Sequence, residues 1–218
     1  MQFPYNLREK LLLSGPDKLS DVELLATFIG CGTANRNCLE LAIDLLSRFG
    51  NLRTLLQASQ KSFTQITGVG DARFAQLKSV QEMVNRADYI NLTDKTTLSN
   101  SQDTNFFLKR QLREKSNEVF VALFLNGQNQ VLAYEELFQG SINHTHVHPR
   151  VIIERALHHQ ATAIILAHNH PSGNSQASCE DIKITKQLTK LLQVVDILLI
   201  DHLIIADNQV TSVIQSRR

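Results

Sequence analysis

The stretch over residues 167–181 contains the residue types that could bind a metal ion. It reads AHNHPSGNSQASCED and carries His168 and His170, followed by Ser178 and Asp181. Side chains at positions i and i+2 of an extended segment point to the same side, so the two imidazoles can face one ligand. A carboxylate that returns after a turn can supply a third ligand. Two nitrogens, one oxygen and a fourth position left to water form the ligand set of a catalytic zinc site.

The same residues also have ordinary structural explanations. A His-x-His pair at the end of a strand often contacts only solvent or a backbone carbonyl. Ser178 and Asp181 match a helix capping box, in which the serine side chain accepts a hydrogen bond from a first-turn backbone N–H. The capping box does not account for the two histidines before the loop. The combined pattern is more specific than the His-x-His pair or the capping box alone. It consists of two histidines, a gap of seven residues, a serine and an aspartate.

The spacing His168-x-His170-x7-Ser178-x2-Asp181 resembles the JAMM motif of MPN-domain metalloproteases. The run HNHPSG at residues 168–173 resembles the RadC branch of that family, the UPF0758 proteins. The similarity continues through LSDVELLATFIGCGT, ITGVGDARFAQLK, LFLNGQNQVLA and DHLIIA, and so covers nearly the whole chain. The resemblance implies an α/β fold, with an N-terminal all-α helix-hairpin-helix domain followed by an MPN (JAMM) α/β sandwich domain.

The resemblance also implies a role for each residue of the motif. His168, His170 and Asp181 would bind one Zn²⁺ per chain, and Ser178 would donate a hydrogen bond to the oxyanion of the tetrahedral intermediate. Glu118, directly before the apolar run VFVALFL, stands where the family has its general acid/base. The implied function is a zinc-dependent metallopeptidase, in which a metal-activated water attacks a peptide-like carbonyl of a peptide or protein substrate.

Several assignments stay open at this stage. Without the resemblance, Glu118 is better explained as a solvated charge at a strand entrance, because Glu135, Glu136 and Glu154 compete with it for the role of base. A nuclease is a weaker alternative, because one zinc with a single carboxylate lacks the paired-metal clamp typical of phosphodiester hydrolysis. His144, His146 and His148 alternate and could share one face of a strand, but no carboxylate follows at a suitable spacing. We interpret them as surface or cleft histidines, and we expect His202 near the site without a defined role.

The N-terminal part carries a second motif. The run ITGVG at residues 66–70, before a helix predicted over 71–87, is typical of a helix-hairpin-helix element. Gly68 and Gly70 would permit close backbone approach, and free N–H groups at the helix start could bind a DNA phosphate. IGCG at 29–32 is a weaker copy, which suggests two packed hairpins. The glycines could also serve only a compact helical domain. The alternative function is therefore a DNA-associated protein with a secondary or vestigial metal site. A relation to repair or recombination is implied only by the name of the family that the chain resembles.

Composition limits the remaining choices. The 218 residues carry a net charge of +1 and are 43% hydrophobic and 20% charged, which is ordinary for a globular protein and gives no electrostatic argument for nucleic acid. Three cysteines without a C-x-x-C pair argue against a disulfide framework. The N-terminus has no signal-like apolar region, and no apolar run approaches ~18 residues. We therefore predict a cytoplasmic protein with no membrane partner.

The elements that must position these residues follow from periodicity and turn signals. The polar stretch 91–99 predicts a linker between a helical domain over 1–90 and a metal-dependent hydrolase domain over 100–218. Residues 1–18 are expected to form an extended arm with one helical turn, followed by a helix capped by Ser20 and a helix over 38–49. The second domain is predicted to contain helices over 101–115 (with Phe106 packed), 150–159 and 181–192, and strands over 119–125, 130–134, 137–142, 162–167, 197–200, 202–206 and 209–214.

Overall fold

A computed structural model describes residues 6–93, 101–140 and 147–215. The chain divides into two compact units, of which the first ends at Val84 and the second begins at Asn85. The first unit is helical, and the second contains a five-stranded sheet with helices. The α/β class and the order of a helical part before a sheet-containing part are thereby confirmed. The domain limits placed near residues 90 and 100 stay predictions.

Most of the helices that begin in the described part of the first unit are short and have side-chain caps. Ser20 and Glu23 form the predicted capping box: Ser20 Oγ accepts from the Glu23 backbone N–H at 3.3 Å, and Glu23 Oε2 accepts from the Ser20 N–H at 2.9 Å. Asn6 caps an eight-residue helix where only one helical turn was expected, so the prediction of an extended arm is wrong for the described residues after Asn6. The helices are α1 Leu7–Ser14, α2 Asp21–Ile29, α3 Cys38–Phe49, α4 Leu52–Gln57, α5 Gln60–Phe63 and α6 Asp71–Thr93, with a 3-10 turn over Pro16–Lys18.

Two glycine-containing turns of the first unit lie against each other. Gly68 has a φ of +91°, and a Cβ at this position would lie 2.8 Å from Thr33 Cγ2 and 3.1 Å from Leu41 Cδ2. The Arg73 guanidinium donates to the carbonyl oxygen of Gly68 and, at 2.6 Å, to that of Cys31. Glycine is therefore required at position 68 by both backbone conformation and packing. The helix-hairpin-helix assignment itself stays a prediction.

The second unit is built on a sheet with the strand order β2-β1-β3-β4-β5. Strands β3 and β4 are parallel, and the other neighbouring strands are antiparallel. The central strands β1 and β3 are buried along their whole length. The elements are α7 Ser101–Leu112, β1 Val119–Leu125, β2 Val131–Gln139, α8 Pro149–His158, β3 Ala163–Asn169, α9 Cys179–Val194, β4 Leu198–Ala206 and β5 Gln209–Ser212.

Two pairs of predicted strands are in fact single strands. The register of β1 with β2 passes from Phe138 to Glu136 and skips Leu137, so β2 bulges where sequence reasoning began a new strand. The register of β3 with β4 likewise passes from Leu199 to Asp201 and skips Ile200, so 197–200 and 202–206 are not separate strands. A bulge inserts one residue and reverses the side-chain alternation, which imitates a break in the pattern.

Helices cover both faces of the sheet. Phe107, Leu108 and Leu112 of α7 pack on one face. Residues of α8 and α9, including Ile152 and Leu188, pack on the other. The prediction that Phe106 is packed is wrong, because its side chain is 60% exposed. No helix within the described ranges has the length and apolar character needed to cross a membrane.

Candidate metal centre

The end of β3 places the two histidines at the edge of the buried sheet. His168 is the sixth residue of this strand and only 1% exposed, whereas His170 follows the strand and is partly exposed. Phe120 of β1 lies opposite His168 in the strand pairing, and the two rings stack with centroids 5.8 Å apart. Asp181 arrives from the first turn of α9, whose N-cap is Ser178. Strand alternation and helix capping together bring the three side chains to one place.

The candidate ligand atoms lie near the spacing of a tetrahedral metal site. His168 Nε2 lies 2.9 Å from His170 Nε2 and 3.2 Å from Asp181 Oδ1. His170 Nε2 lies 3.6 Å from Asp181 Oδ2. Zinc–ligand bonds of about 2.0–2.1 Å place neighbouring tetrahedral ligands about 3.3–3.4 Å apart. The donor set therefore fits zinc, and shifts of about half an ångström or less would bring its atoms to this spacing.

Local hydrogen bonds orient the candidate ligand atoms. His170 Nδ1 donates to the Asn174 carbonyl at 2.7 Å, so a neutral His170 carries its lone pair on Nε2, which faces His168 and Asp181. The hydrogen bond to Asp181 raises the pKa of His170, against the opposing effect of burial. Burial alone would raise the pKa of Asp181, but the close side chains of His168 and His170 outweigh it and hold that pKa well below its usual range. The aspartate is therefore a charged ligand at neutral pH.

Ser178 forms the capping box with Asp181. Its Oγ accepts from the Asp181 N–H at 3.1 Å and donates to Asp181 Oδ2 at 2.7 Å, and its own N–H reaches the same oxygen at 2.7 Å. These bonds hold Asp181 Oδ2 in place, and Asp181 Oδ1 faces His168 Nε2. The Ser178 side chain is exposed, and its hydroxyl hydrogen would have to turn from Asp181 to reach a substrate. Its role as an oxyanion donor stays a prediction.

Glu118 directly precedes β1 and is half-buried. Its backbone carbonyl accepts from the Gly140 N–H at 2.9 Å, next to the first residue pair of β1 and β2, Val119 and Gln139. Its charge also contributes to the raised pKa of His170, although less than Asp181 does. Glu118 thus acts electrostatically on a candidate ligand, and its role as general acid/base stays a prediction.

Asn169 fixes the segment that carries Glu118. This side chain is 2% exposed, and its Oδ1 accepts from the Val119 N–H at 2.8 Å. Its Nδ2 donates to the carbonyls of Lys115 at 3.1 Å and Asn117 at 3.0 Å. The residue between the two histidines therefore connects the candidate ligands to the candidate base.

Two further residues complete the surroundings of the histidines. His202 Nε2 lies 2.9 Å from His168 Nδ1, and His202 Nδ1 lies 2.6 Å from Thr185 Oγ1. Sequence reasoning expected His202 near the site but missed Thr185. The signal was present, because Thr185 lies four residues after Asp181 and therefore on the same face of α9.

The other sequence candidates belong to other segments of the chain. His148 precedes α8 and contacts Phe138, with ring centroids 5.9 Å apart, while His144 and His146 lie outside the described residues. Gly68 and Gly70 belong to the helical unit, and a Cβ at Gly70 would meet no atom within 4 Å. This open space is compatible with a nearby phosphate, but contact with DNA stays a prediction.

Comparison with known proteins identifies the family. A family model described as RadC-like JAB domain matches residues 98–218, and one described as UPF0758 N-terminal matches residues 6–75. A UPF0758 protein of Legionella pneumophila (strain Lens) is 50% identical over 208 residues, which cover 95% of this chain and 92% of the relative. One from Pseudomonas fluorescens (strain Pf0-1) is 46% identical over 202 residues, covering 93% and 90%. The predicted family is confirmed: the chain belongs to the UPF0758 family, and its C-terminal part is a RadC-like JAB domain of the MPN type.

Proposed function

We propose that this chain is a zinc-dependent hydrolase of the JAMM type that cleaves an amide bond in a peptide or protein substrate. The observation that carries the proposal is the convergence of His168, His170 and Asp181, whose ligand atoms all lie within 4.8 Å of one another. Membership in the RadC-like JAB family supports it, because the JAMM motif is a metalloprotease motif. Two neutral imidazoles and one carboxylate also leave the fourth position of a zinc site to water and substrate.

The chain's own residues divide the chemistry among them. When bound, zinc would supply Lewis acidity that makes a water nucleophilic near neutral pH. The Glu118 carboxylate would take a proton from the attacking water and deliver it to the leaving nitrogen, so that a C–O bond forms and the C–N bond breaks. The Ser178 hydroxyl would turn from Asp181 towards the carbonyl oxygen and stabilise the developing charge by about 3 kcal/mol.

Metal content of the protein tests this proposal. Protein purified without chelators and dialysed against micromolar zinc is expected to retain about one zinc per chain by atomic emission. His168→Ala and Asp181→Ala should lose it, because each removes one of only three protein ligands. His158→Ala is the matched control, because this histidine is exposed and stands outside the ligand group.

The catalytic roles need a second measurement. Glu118→Gln should keep its zinc but cleave a peptide library about 10²- to 10⁴-fold more slowly, because the proton transfer is lost while the ligands remain. A parent protein that stays free of zinc, or His168→Ala protein that retains a full equivalent, contradicts the proposed metal site. Equal cleavage by parent and Glu118→Gln protein contradicts only the role of the glutamate.

A further inference from the structure

A chain of hydrogen bonds leads from a candidate ligand into the core of the second unit. His168 Nδ1 meets His202 Nε2 at 2.9 Å, and His202 Nδ1 meets Thr185 Oγ1 at 2.6 Å. The Thr185 hydroxyl in turn donates to the backbone carbonyl of Asp181. His168 is 1% exposed, and His202 and Thr185 are fully buried. This series of hydrogen bonds therefore begins at one candidate ligand, His168, and ends on the backbone of another, Asp181.

The direction of each hydrogen bond in this series follows from the last acceptor, the carbonyl oxygen of Asp181. A carbonyl oxygen can only accept, so the single hydroxyl hydrogen of Thr185 is committed to Asp181. Thr185 Oγ1 must then accept from His202, which places a hydrogen on His202 Nδ1. A neutral His202 has no hydrogen on Nε2, so this atom accepts from His168 Nδ1. A His168 that is itself neutral then carries no hydrogen on Nε2, the atom that faces His170 and Asp181.

Only a neutral His202 is compatible with a metal ion on His168. An imidazolium would donate from both nitrogens, which would place a hydrogen on Nε2 of a neutral His168 and block that atom as a ligand. Phe120 closes the site on one side, with its ring 5.3 Å from that of His202 and 5.8 Å from that of His168. The two imidazoles are thus packed in one orientation.

We propose that His202 is a positioning residue for the metal centre: its Nε2 holds His168 in the Nδ1–H form, and Thr185 holds His202 in the same form. Metal-binding histidines usually donate their second N–H to a carboxylate, a backbone carbonyl or water. Here a second neutral imidazole accepts that hydrogen bond. Because the chain of bonds ends on the Asp181 carbonyl, it also orients the first turn of α9. This inference rests on the proposed zinc site.

The forms of the two rings can be read directly by NMR. Long-range ¹H–¹⁵N correlation spectra of uniformly labelled full-length protein distinguish Nδ1–H, Nε2–H and doubly protonated imidazoles. We expect the Nδ1–H form of His202 both without metal and after addition of one equivalent of zinc. A His202 ring with a hydrogen on Nε2, in either state, overturns the proposal.

Two substitutions at position 202 separate positioning from packing. The amide of His202→Gln reaches the place of Nε2 and can accept from His168, whereas the shorter amide of His202→Asn reaches only the place of Nδ1. Competition with a chromophoric chelator should give a zinc affinity within about threefold of the parent for the Gln variant. The Asn variant should bind about 10- to 100-fold more weakly. Equal affinities of the two variants overturn the proposal.

Substitutions of Thr185 provide an independent test if the changes at position 202 prevent folding. Thr185→Ser keeps the hydroxyl and should keep the zinc affinity, whereas Thr185→Val removes it and should weaken zinc binding about 10-fold or more. Equal zinc affinities here also count against the proposal. If the parent protein binds no zinc, the proposed hydrolase function fails, while the ring form of His202 in the metal-free protein still decides this inference.

Discussion

Asn169 stands between the two candidate ligands in the sequence, yet its side chain serves the preceding strand rather than the metal. Its amide makes three hydrogen bonds to the backbone of residues 115–119, and it is 2% exposed. Because strand side chains alternate, histidines at 168 and 170 direct the residue between them to the opposite face. That face is where the segment carrying Glu118 enters the sheet. The spacing of the ligands and the position of the base are therefore linked through one amide.

Replacing Asn169 should disturb the segment that carries Glu118 while leaving the metal ligands in place. Asn169→Ala leaves the Val119 N–H and the carbonyls of Lys115 and Asn117 without their partner, so we expect a loss of about 2–3 kcal/mol in the free energy of unfolding. Urea denaturation of the metal-free protein measures it. The ligands are untouched, so zinc affinity should change less than threefold while amide hydrolysis falls. A variant as stable as the parent would contradict this role.

The limit of sequence reasoning at this scale is set by distance along the chain. His168, His170 and Asp181 lie within one short stretch, and their spacing was enough to predict that they converge. His202 lies 34 positions from His168, and Asn169 lies 50 positions from Val119. Neither partnership has a local pattern, because each depends on which strands become neighbours in the sheet.

The same limit operates on whole elements. Apolar runs and turns were enough to place β1 and α3 at their observed bounds. They failed where a strand contains a bulge, at Leu137 in β2 and at Ile200 in β4, because the alternation of side chains changes phase there. The bulge at Ile200 has a further consequence. It reverses the alternation of side chains in β4, so that His202 lies on the same face of the sheet as His168.

The contact between β2 and α8 gives a prediction about acid stability. Glu135 of β2 accepts from Arg155 Nε at 2.7 Å and lies 2.7 Å from His159 Nε2. The hydrogen bond from Arg155 lowers the pKa of Glu135 to about 2, against the opposing effect of burial, with a smaller contribution from His159. A carboxylate with a lowered pKa in the folded state stabilises the protein above its unfolded value of about 4.3. That stabilisation is lost as the pH falls towards 2.

The Arg155→Met variant should therefore be less stable than the parent at pH 6, by a margin that shrinks as the pH falls. We expect about 1 kcal/mol at pH 6, because the Arg155 side chain is 37% exposed and solvent screens the pair. Urea unfolding of the metal-free proteins between pH 6 and pH 3 measures this difference. Arg150→Met, at the other end of α8, is the matched control. A difference for Arg155→Met that stays constant over this range would show that the ion pair is not its source.

At the scale of the whole molecule, the candidate centre belongs entirely to one of the two compact units. Its ligands, its candidate base and the His202–Thr185 network all lie after Asn85. Periodicity could not locate the limit between the units, because α6 continues from Asp71 to Thr93 through Val84 and Asn85. A continuous helical pattern contains no signal for a change of unit.

Zinc should therefore stabilise the two units unequally. At a free concentration 100-fold above its dissociation constant, a ligand that binds only the folded state adds about 2.7 kcal/mol. Hydrogen exchange read by mass spectrometry should show amides of β3, β4 and the start of α9 exchanging up to about 100-fold more slowly with zinc, because their opening releases the ion. Amides of α2 and α3 should be unaffected, and His168→Ala protein should show no change anywhere. Equal protection of both units would mean that zinc acts elsewhere than at these three side chains.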